Sequence, residues 1–390
     1  MVVKLSVHRY ESITRVIRIF SSMCGADVLD PKYRVNLLTW IVLTFINTFF
    51  CCTTYTMYIN VYVDRDLTKV LQTLCLVGSA LQGYVKLVNA IWNQHNLRFL
   101  TEELHRIYAE YDEKQAHYRR KLSKSVNLVV KVIKFVFFSY FINVSLFLMA
   151  VPVYGIIYKE KIFIMQMFIP GLDHTTDFGY YLLISIQLIL MLFGGFGTFA
   201  ADTFLINFIT HVPMLKDILR CKFEDLNEAL DDENKERTKK YKAILRDILQ
   251  WHQKYMLFIT IIKDTYFWVI LVQMTTVGLN IASTLFVVIS AKWPSGPPYM
   301  IFCFCTLYIY CGLGTVVENA NEDVIYSSYT DVNWYHLPPS EKKMLGMMLM
   351  MAQNTSGLTV GVVVPLSVST GLQLTKAIYT WSMMLINFID

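Results

Sequence analysis

The chain has 390 residues, of which 55% are hydrophobic and only 17% charged, with 25 Phe and 24 Tyr and a mean hydropathy of +0.42. Soluble domains carry about a quarter charged residues, so this composition excludes disorder, a fibrous protein and a nucleic-acid arm, and leaves a very large apolar core or a membrane protein. The formal net charge of +5 is too small to imply a polyanionic partner, so the placement of the basic residues matters more than their sum.

The first 35 residues are polar and hold Lys4, Arg9, Arg15, Arg18, Lys32 and Arg34, so no signal peptide is read there. A bilayer core about 30 Å thick asks for about 20 apolar residues of helix. Residues 36–63 supply them without one Asp, Glu, Lys or Arg, and residues 70–92 are interrupted only by Lys86. Two turns before Asn93, Lys86 is read as extending its ammonium to the interface rather than as an ion ligand. Charge-free runs recur at 135–158, 178–201, 265–291 and 293–317, and a longer one covers 344–375. Seven such lengths predict an all-α fold of seven transmembrane helices.

Between the fourth and fifth spans, residues 216–262 read mostly as helix. Leu226, Leu230, Tyr241, Ile244, Leu245, Ile248, Leu249 and Trp251 recur at spacings near three and four. The pattern runs without Pro or Gly toward Trp268, which predicts that the fifth span continues out of the membrane and packs an apolar stripe on other cytoplasmic helices. The alternative is a solvated loop with charged faces. The final run is broken by Gly357, Gly361 and Pro365. It divides into a Met-rich helix over about 340–353, capped by Ser340 behind Pro338 and Pro339, and a last span over about 363–388. Met344, Met347, Met348, Met350 and Met351 are adaptable packing of the kind that makes helix–helix interfaces. The division is therefore 1–35 cytoplasmic, 36–201 spans one to four, 202–264 a cytoplasmic helical anchor, 265–317 spans five and six, 318–357 a cytoplasmic loop with the Met-rich helix, and 358–390 the last span.

Lys and Arg orient this stack. Residues 1–35, 93–134, 202–264 and 318–343 hold six, nine, eleven and two of them, whereas the alternate loops hold five. The N-terminus is expected in the cytoplasm and the C-terminus outside, opposite to a G-protein-coupled receptor. No cysteine falls in an external loop, so no extracellular disulfide is expected. The Asn-x-Ser matches at Asn143 and Asn354 fall in a span and on the cytoplasmic side, so neither is read as a glycosylation site.

Catalytic signatures are missing: no HExxH, CxxC pair, P-loop or G-x-S-x-G occurs, and no enzyme activity, metal or cofactor is expected. The eight histidines are read as surface residues. Gly194, Gly195 and Gly197 are read as permitting close helix packing or a bend. The outer halves of the third, fourth and sixth spans hold Phe147, Tyr154, Tyr180, Tyr181, Gln187, Phe302, Thr306 and Tyr308, a set that suits a small apolar ligand with a hydroxyl or amide giving direction. The competing reading is an aromatic belt plus ordinary core. On the last span Gln373, Lys376, Thr380, Met383 or Met384, and Asn387 share one face. Such a stripe avoids lipid, so it makes a buried contact in one bundle or lines a pore among several copies.

The run Trp334-Tyr335-His336-Leu337-Pro338, then Glu341-Lys342-Lys343, Gln353, Gly361, Pro365-Leu366-Ser367 and Thr370, resembles the approach to the last span in the insect odorant receptor family. Gln187 and Asp202 also fit that family. Thr380-Trp381, followed by Asn387-Phe388, is similar to the Thr-Tyr…Gln-Phe ending of gustatory receptors, with departures that favour the odorant branch. The resemblance extends along the whole chain through length, spans and orientation, and the short 202–264 segment matches a tuning subunit rather than the longer co-receptor. It implies a tetrameric, odorant-gated cation channel formed with the co-receptor in the plasma membrane of olfactory neuron dendrites. It further implies pocket residues Phe147, Ala150, Tyr154, Tyr181, Ile184, Thr306 and Tyr308, with Leu76 and Ala80 beside them, and a pore lined by Lys376, Thr380, Met384, Asn387 and Phe388. A gustatory-type homomeric channel and a G-protein-coupled receptor are the alternatives.

Overall fold

A computed structural model of the chain describes residues 5–159, 163–173, 176–231, 237–290, 293–355 and 357–387. Helix α1 (Leu5–Met23) buries Tyr10, Ile13 and Ile17 along one face. Helix α2 (Leu37–Tyr58) starts at Asn36, whose side chain accepts from the Thr39 amide while Thr39 Oγ1 accepts from the Asn36 amide, a reciprocal cap. It runs into a π-helical turn, Ile59–Val63. Helix α3 (Leu67–Trp92) is capped by Asp66, which accepts from the amides of Thr68 and Lys69. Then come α4 (Gln94–Tyr111), α5 (Ala116–Tyr158), α6 (Asp177–Asp231), α7 (Arg237–Ser290), α8 (Gly296–Thr330) and α9 (Pro339–Gln353). A two-stranded antiparallel hairpin, β1 (Thr359–Val360) and β2 (Val364–Pro365), leads into α10 (Val368–Asn387).

Among the described residues, six helices are long and apolar enough to cross a membrane: α2 with its π turn, α3, α5, α6, α7 and α8, whose most apolar windows have mean hydropathy of 1.4 to 2.0. Helix α10, with 20 residues, has the length of a crossing but is more polar than these six, with Lys376 and Thr380 in it, and it makes the seventh element of the bundle. The fold is thus an all-α, seven-transmembrane bundle. The 55 residues of α6 and 54 of α7 are more than twice the about 20 that a bilayer needs. Both continue well beyond the apolar run, so the helix expected over most of 216–262 is supplied by the end of α6, to Asp231, and the start of α7, from Arg237.

These extensions gather the segments that carry most Lys and Arg. Tyr10 of α1 stacks on Tyr108 of α4 at 5.0 Å, Tyr111 meets Trp251 of α7 at 5.1 Å, and Lys242 Nζ lies 3.3 Å from Glu341 of α9. Trp251 Nε1 donates to the Leu215 carbonyl at 3.0 Å, and Leu226, Leu230, Tyr241, Leu245 and Ile248 are buried, so the apolar stripe packs on neighbouring helices. From Phe204 to Val212 α6 is buried all round, as a helix does at the centre of a core. At the opposite end the 163–173 connection folds back on the bundle: the Phe168 amide donates to Thr56 Oγ1 at 2.8 Å. Basic segments at one end and short connections at the other are the alternation expected of successive crossings.

Two local expectations are corrected. Helix α9 starts behind Pro338, not on a Ser340 cap, because the Ser340 hydroxyl donates to the neighbouring Glu341 carboxylate instead. His211 and His252 are buried, not on the surface. His211 sits edge-on against both Tyr10 and Tyr108, with Nδ1 2.6 Å from the Asn207 carbonyl and Nε2 3.1 Å from Tyr108 Oη. Burial pushes its pKa down to about 4, because taking an imidazolium out of water disfavours the charged form.

Candidate functional site

A cavity of about 300 Å³ opens between α2, α3, α5, α6 and the start of α8. Its walls are mostly apolar: Phe45 and Phe49 from α2, Leu76 and Ala80 from α3, Phe147 from α5, Phe302 from α8. Phe147 lies 6.0 Å from Tyr299 between ring centroids. Of the residues expected at the pocket, Phe147, Leu76 and Ala80 line this volume. Ala150 and Tyr154 are partly buried further along α5, where Tyr154 stacks on Tyr158 at 4.3 Å. Tyr181 is 66% exposed on the outside of α6, and Ile184 is partly buried one turn below it. Thr306 is buried with its hydroxyl on the Cys303 carbonyl, and Tyr308 Oη lies 3.2 Å from Thr375 Oγ1 on α10. These six residues therefore stand away from the cavity wall, Tyr308 as a link between α8 and the last span.

Gly194, Gly195 and Gly197 also line the cavity. A Cβ at Gly194 would meet nothing within 4 Å and one at Gly195 only Val144 at 3.9 Å, so these two make room rather than admit a neighbouring helix, whereas one at Gly197 would pack 3.5 Å from Cys24 Sγ. Gln187, buried, binds the Met165 backbone in both senses: Nε2 donates to the carbonyl at 3.0 Å and Oε1 accepts from the amide at 3.2 Å. Met165 itself lines the cavity, so Gln187 fixes the 163–173 connection across its outer side.

The inner end is polar, and Lys86 is there. The reading of Lys86 as a residue reaching for the interface is corrected: it is 3% exposed and its Nζ lies 2.6 Å from Asp202 Oδ1. Tyr140 donates to Asp202 Oδ2 and Tyr310 to Oδ1 at 2.6 Å, and Nζ sits 5.4 Å from the Tyr310 ring centroid. The carboxylate is satisfied on both oxygens, as a buried ion pair requires, whereas Lys86 Nζ has no partner besides Asp202 among the described residues. Four helices, α3, α5, α6 and α8, are joined through that one carboxylate. No group of three or more His, Cys, Asp or Glu able to hold a metal occurs among the described residues.

On α10 the expected pore face is uncovered. Gln373, Lys376, Thr380 and Met384 are exposed, whereas Gly371, Ile378 and Ser382 are buried toward α7 and α8. Asn387 ends the helix; Phe388 lies outside the described residues.

The 7tm Odorant receptor family model matches residues 66–379. A curated relative, the putative odorant receptor 83c of Drosophila melanogaster, is 26% identical over 391 residues, covering 97% of each chain. The insect olfactory receptor OR5 of Machilis hrabei, solved with eugenol, superposes with a TM-score of 0.78 at 16% identity, covering 98% of this chain and 99% of that one. The same receptor solved by itself gives 0.77 at 16% identity, over 97% and 98%.

Proposed function

Because the chain belongs to the 7tm odorant receptor family, we propose that it is a tuning subunit of an odorant-gated, non-selective cation channel. It joins a longer co-receptor in a tetramer in the dendritic membrane of olfactory neurons and catalyses no reaction. The observation that carries this reading is the apolar cavity of about 300 Å³ among α2, α3, α5, α6 and α8. Ligand sites of this kind are largely apolar with a few polar groups that set orientation. A receptor of the same fold has been solved with eugenol, which supports a small aromatic of that size as a first probe.

Two further features support assembly and gating. The polar stripe of α10 has no cover within its own chain, and a polar face on a membrane helix requires protein or water beside it. The cavity wall and α10 are joined through α8: Phe302 lines the cavity, and two turns on Tyr308 touches Thr375. A ligand that favours one packing of α8 shifts the population of the α10 arrangement with it. Currents recorded from cells expressing this chain with and without the co-receptor test the reading. Volatile-evoked cation current is expected only from the pair, and Phe147→Ala should move the agonist order toward larger molecules. Full currents from the chain alone would favour the homomeric gustatory type. Silence across a broad panel, with a co-receptor that still answers its own direct agonist, would refute both.

A further inference from the structure

Most polar side chains on the cavity wall are committed to protein partners. Ser79 Oγ and Tyr299 Oη are 2.6 Å apart, Gln82 Nε2 donates to Thr276 Oγ1 at 2.7 Å, and Thr198 donates to the Gly194 carbonyl at 2.8 Å. Tyr140 is held by Asp202. Asn143 differs. Its Nδ2 donates to the Ser139 carbonyl at 2.7 Å, one turn back on α5. That bond fixes the amide orientation, since a flip would set two acceptor oxygens against each other. Oδ1 is left buried, with no hydrogen-bond partner among the described residues, on a side chain only 6% exposed that lines the cavity. A buried acceptor without a donor is uncommon and costly, and a ligand that brings a donor removes the cost.

The surroundings narrow the donor's chemistry. Tyr140, Asn143, Val144 and Phe147 share one face of α5 and all line the cavity. Tyr140 is the turn next to Asn143 on the side of Asp202 and Lys86, and Lys86 Nζ meets no oxygen other than Asp202 among the described residues. The Lys86–Asp202 pair is already neutral, so a cationic amine would find no uncompensated charge there to offset its own desolvation. A neutral hydroxyl supplies the donor that Oδ1 lacks without bringing a charge into the apolar cavity.

We propose that the cavity selects small apolar volatiles carrying one hydroxyl, alcohols and phenols, whose O–H donates to Asn143 Oδ1. This rests on the reading of the cavity as the ligand site and adds the ligand class. Asn143 is then a specificity-determining residue.

Matched pairs that differ only in the donor test it: 4-ethylphenol against 4-ethylanisole, and 1-octanol against 1-methoxyoctane. Two readouts are used, currents of the co-expressed complex and ligand-induced thermal stabilisation of the full chain in nanodiscs, which reads binding without gating. In the unmodified protein the hydroxyl member should act at concentrations roughly tenfold lower or better, the scale expected when a buried polar group loses its partner. In Asn143→Leu that ratio should fall to near one, with the ether unchanged or improved. Equal potency within each pair in the unmodified protein would overturn the proposal, as when a resident water serves Oδ1. So would an equal loss of both members in Asn143→Leu, or no stabilisation by either member of any pair. A hydroxyl preference in melting without any current would support the ligand class and refute the channel reading. Currents without the preference would do the reverse.

Discussion

Lys86 and Asp202 sit on different helices and are each harmless to the fold only in the presence of the other. Removing one partner strands a charge in a medium of low dielectric, at a cost of about 3–5 kcal/mol. Lys86→Met should therefore lower the melting temperature of the purified protein and its surface expression markedly. Lys86→Met combined with Asp202→Asn removes both charges and should recover most of the loss. If the double variant melts no higher than the single one, the ion pair is not what holds α3 to α6. His211 acts through pH. It stays neutral in the fold until about pH 4, whereas an unfolded histidine takes up its proton near pH 6.5. Above pH 6.5 the residue is neutral in both states and contributes no pH dependence. Between about 6.5 and 4 only the unfolded chain binds the proton, so stability falls by up to about 1.4 kcal/mol per pH unit from this residue. Melting measured from pH 7.5 to 4.5 should show the decline, and His211→Phe should flatten part of it. At this scale the sequence is least informative. Hydropathy finds Lys86 inside an apolar run but says nothing of a carboxylate on a distant helix, and the 135–158 run registers Asn143 only as a sequon. Phe147 is legible as an aromatic in the outer half of a span, whereas Leu76 and Ala80 enter only through the family resemblance.

Helices were far more legible. The charge-free runs locate α2, α3, α5, α6, α7 and α8, and the glycines and Pro365 locate the break between α9 and α10. What periodicity does not contain is the distance to the next helix, and glycine shows this. Gly194 in α6 and Gly314 in α8 look alike as glycines inside apolar helices. In the fold a Cβ at Gly194 meets open space, but at Gly314 it would lie 1.9 Å from the Leu366 carbonyl oxygen, in the segment that leads into α10. Val368 also donates its amide to Thr315 there at 3.0 Å. Alanine in an open helical position gains roughly 0.5–1 kcal/mol over glycine. Gly194→Ala should thus raise the melting temperature slightly and trim the cavity by one methyl group. Gly314→Ala should lower it, because backbone rather than a flexible side chain must move. Thermal melts of the two variants side by side decide the matter; equal shifts would mean that α8 and the approach to α10 are not held in contact as described.

The chain alone leaves most of α10 uncovered, Leu372, Tyr379 and Trp381 as well as its polar residues. Its buried residues, Gly371, Ile378 and Ser382, follow the helical period against α7 and α8, and Lys376, Thr380 and Met384 follow it on the exposed side. Exposed lysine and threonine at mid-span would be costly against lipid, so the molecule is complete only when other subunits or water meet this face. In the proposed channel the same stripes would converge on a water-filled path, and the two faces of one helix would then differ in access to aqueous reagents. Single cysteines read that difference directly. In complexes with the co-receptor, Lys376→Cys, Thr380→Cys and Met384→Cys should be modified by a cationic methanethiosulfonate while agonist is present, with a fall in current. Ile378→Cys and Ser382→Cys should be protected, and the unmodified chain serves as control for its own cysteines. Protection at 376 and 380 together with reaction at 378 and 382 would rotate the pore face by half a turn and refute the assignment of α10. Reaction at all five positions alike would mean that the helix is not packed on α7 and α8 in the assembled channel.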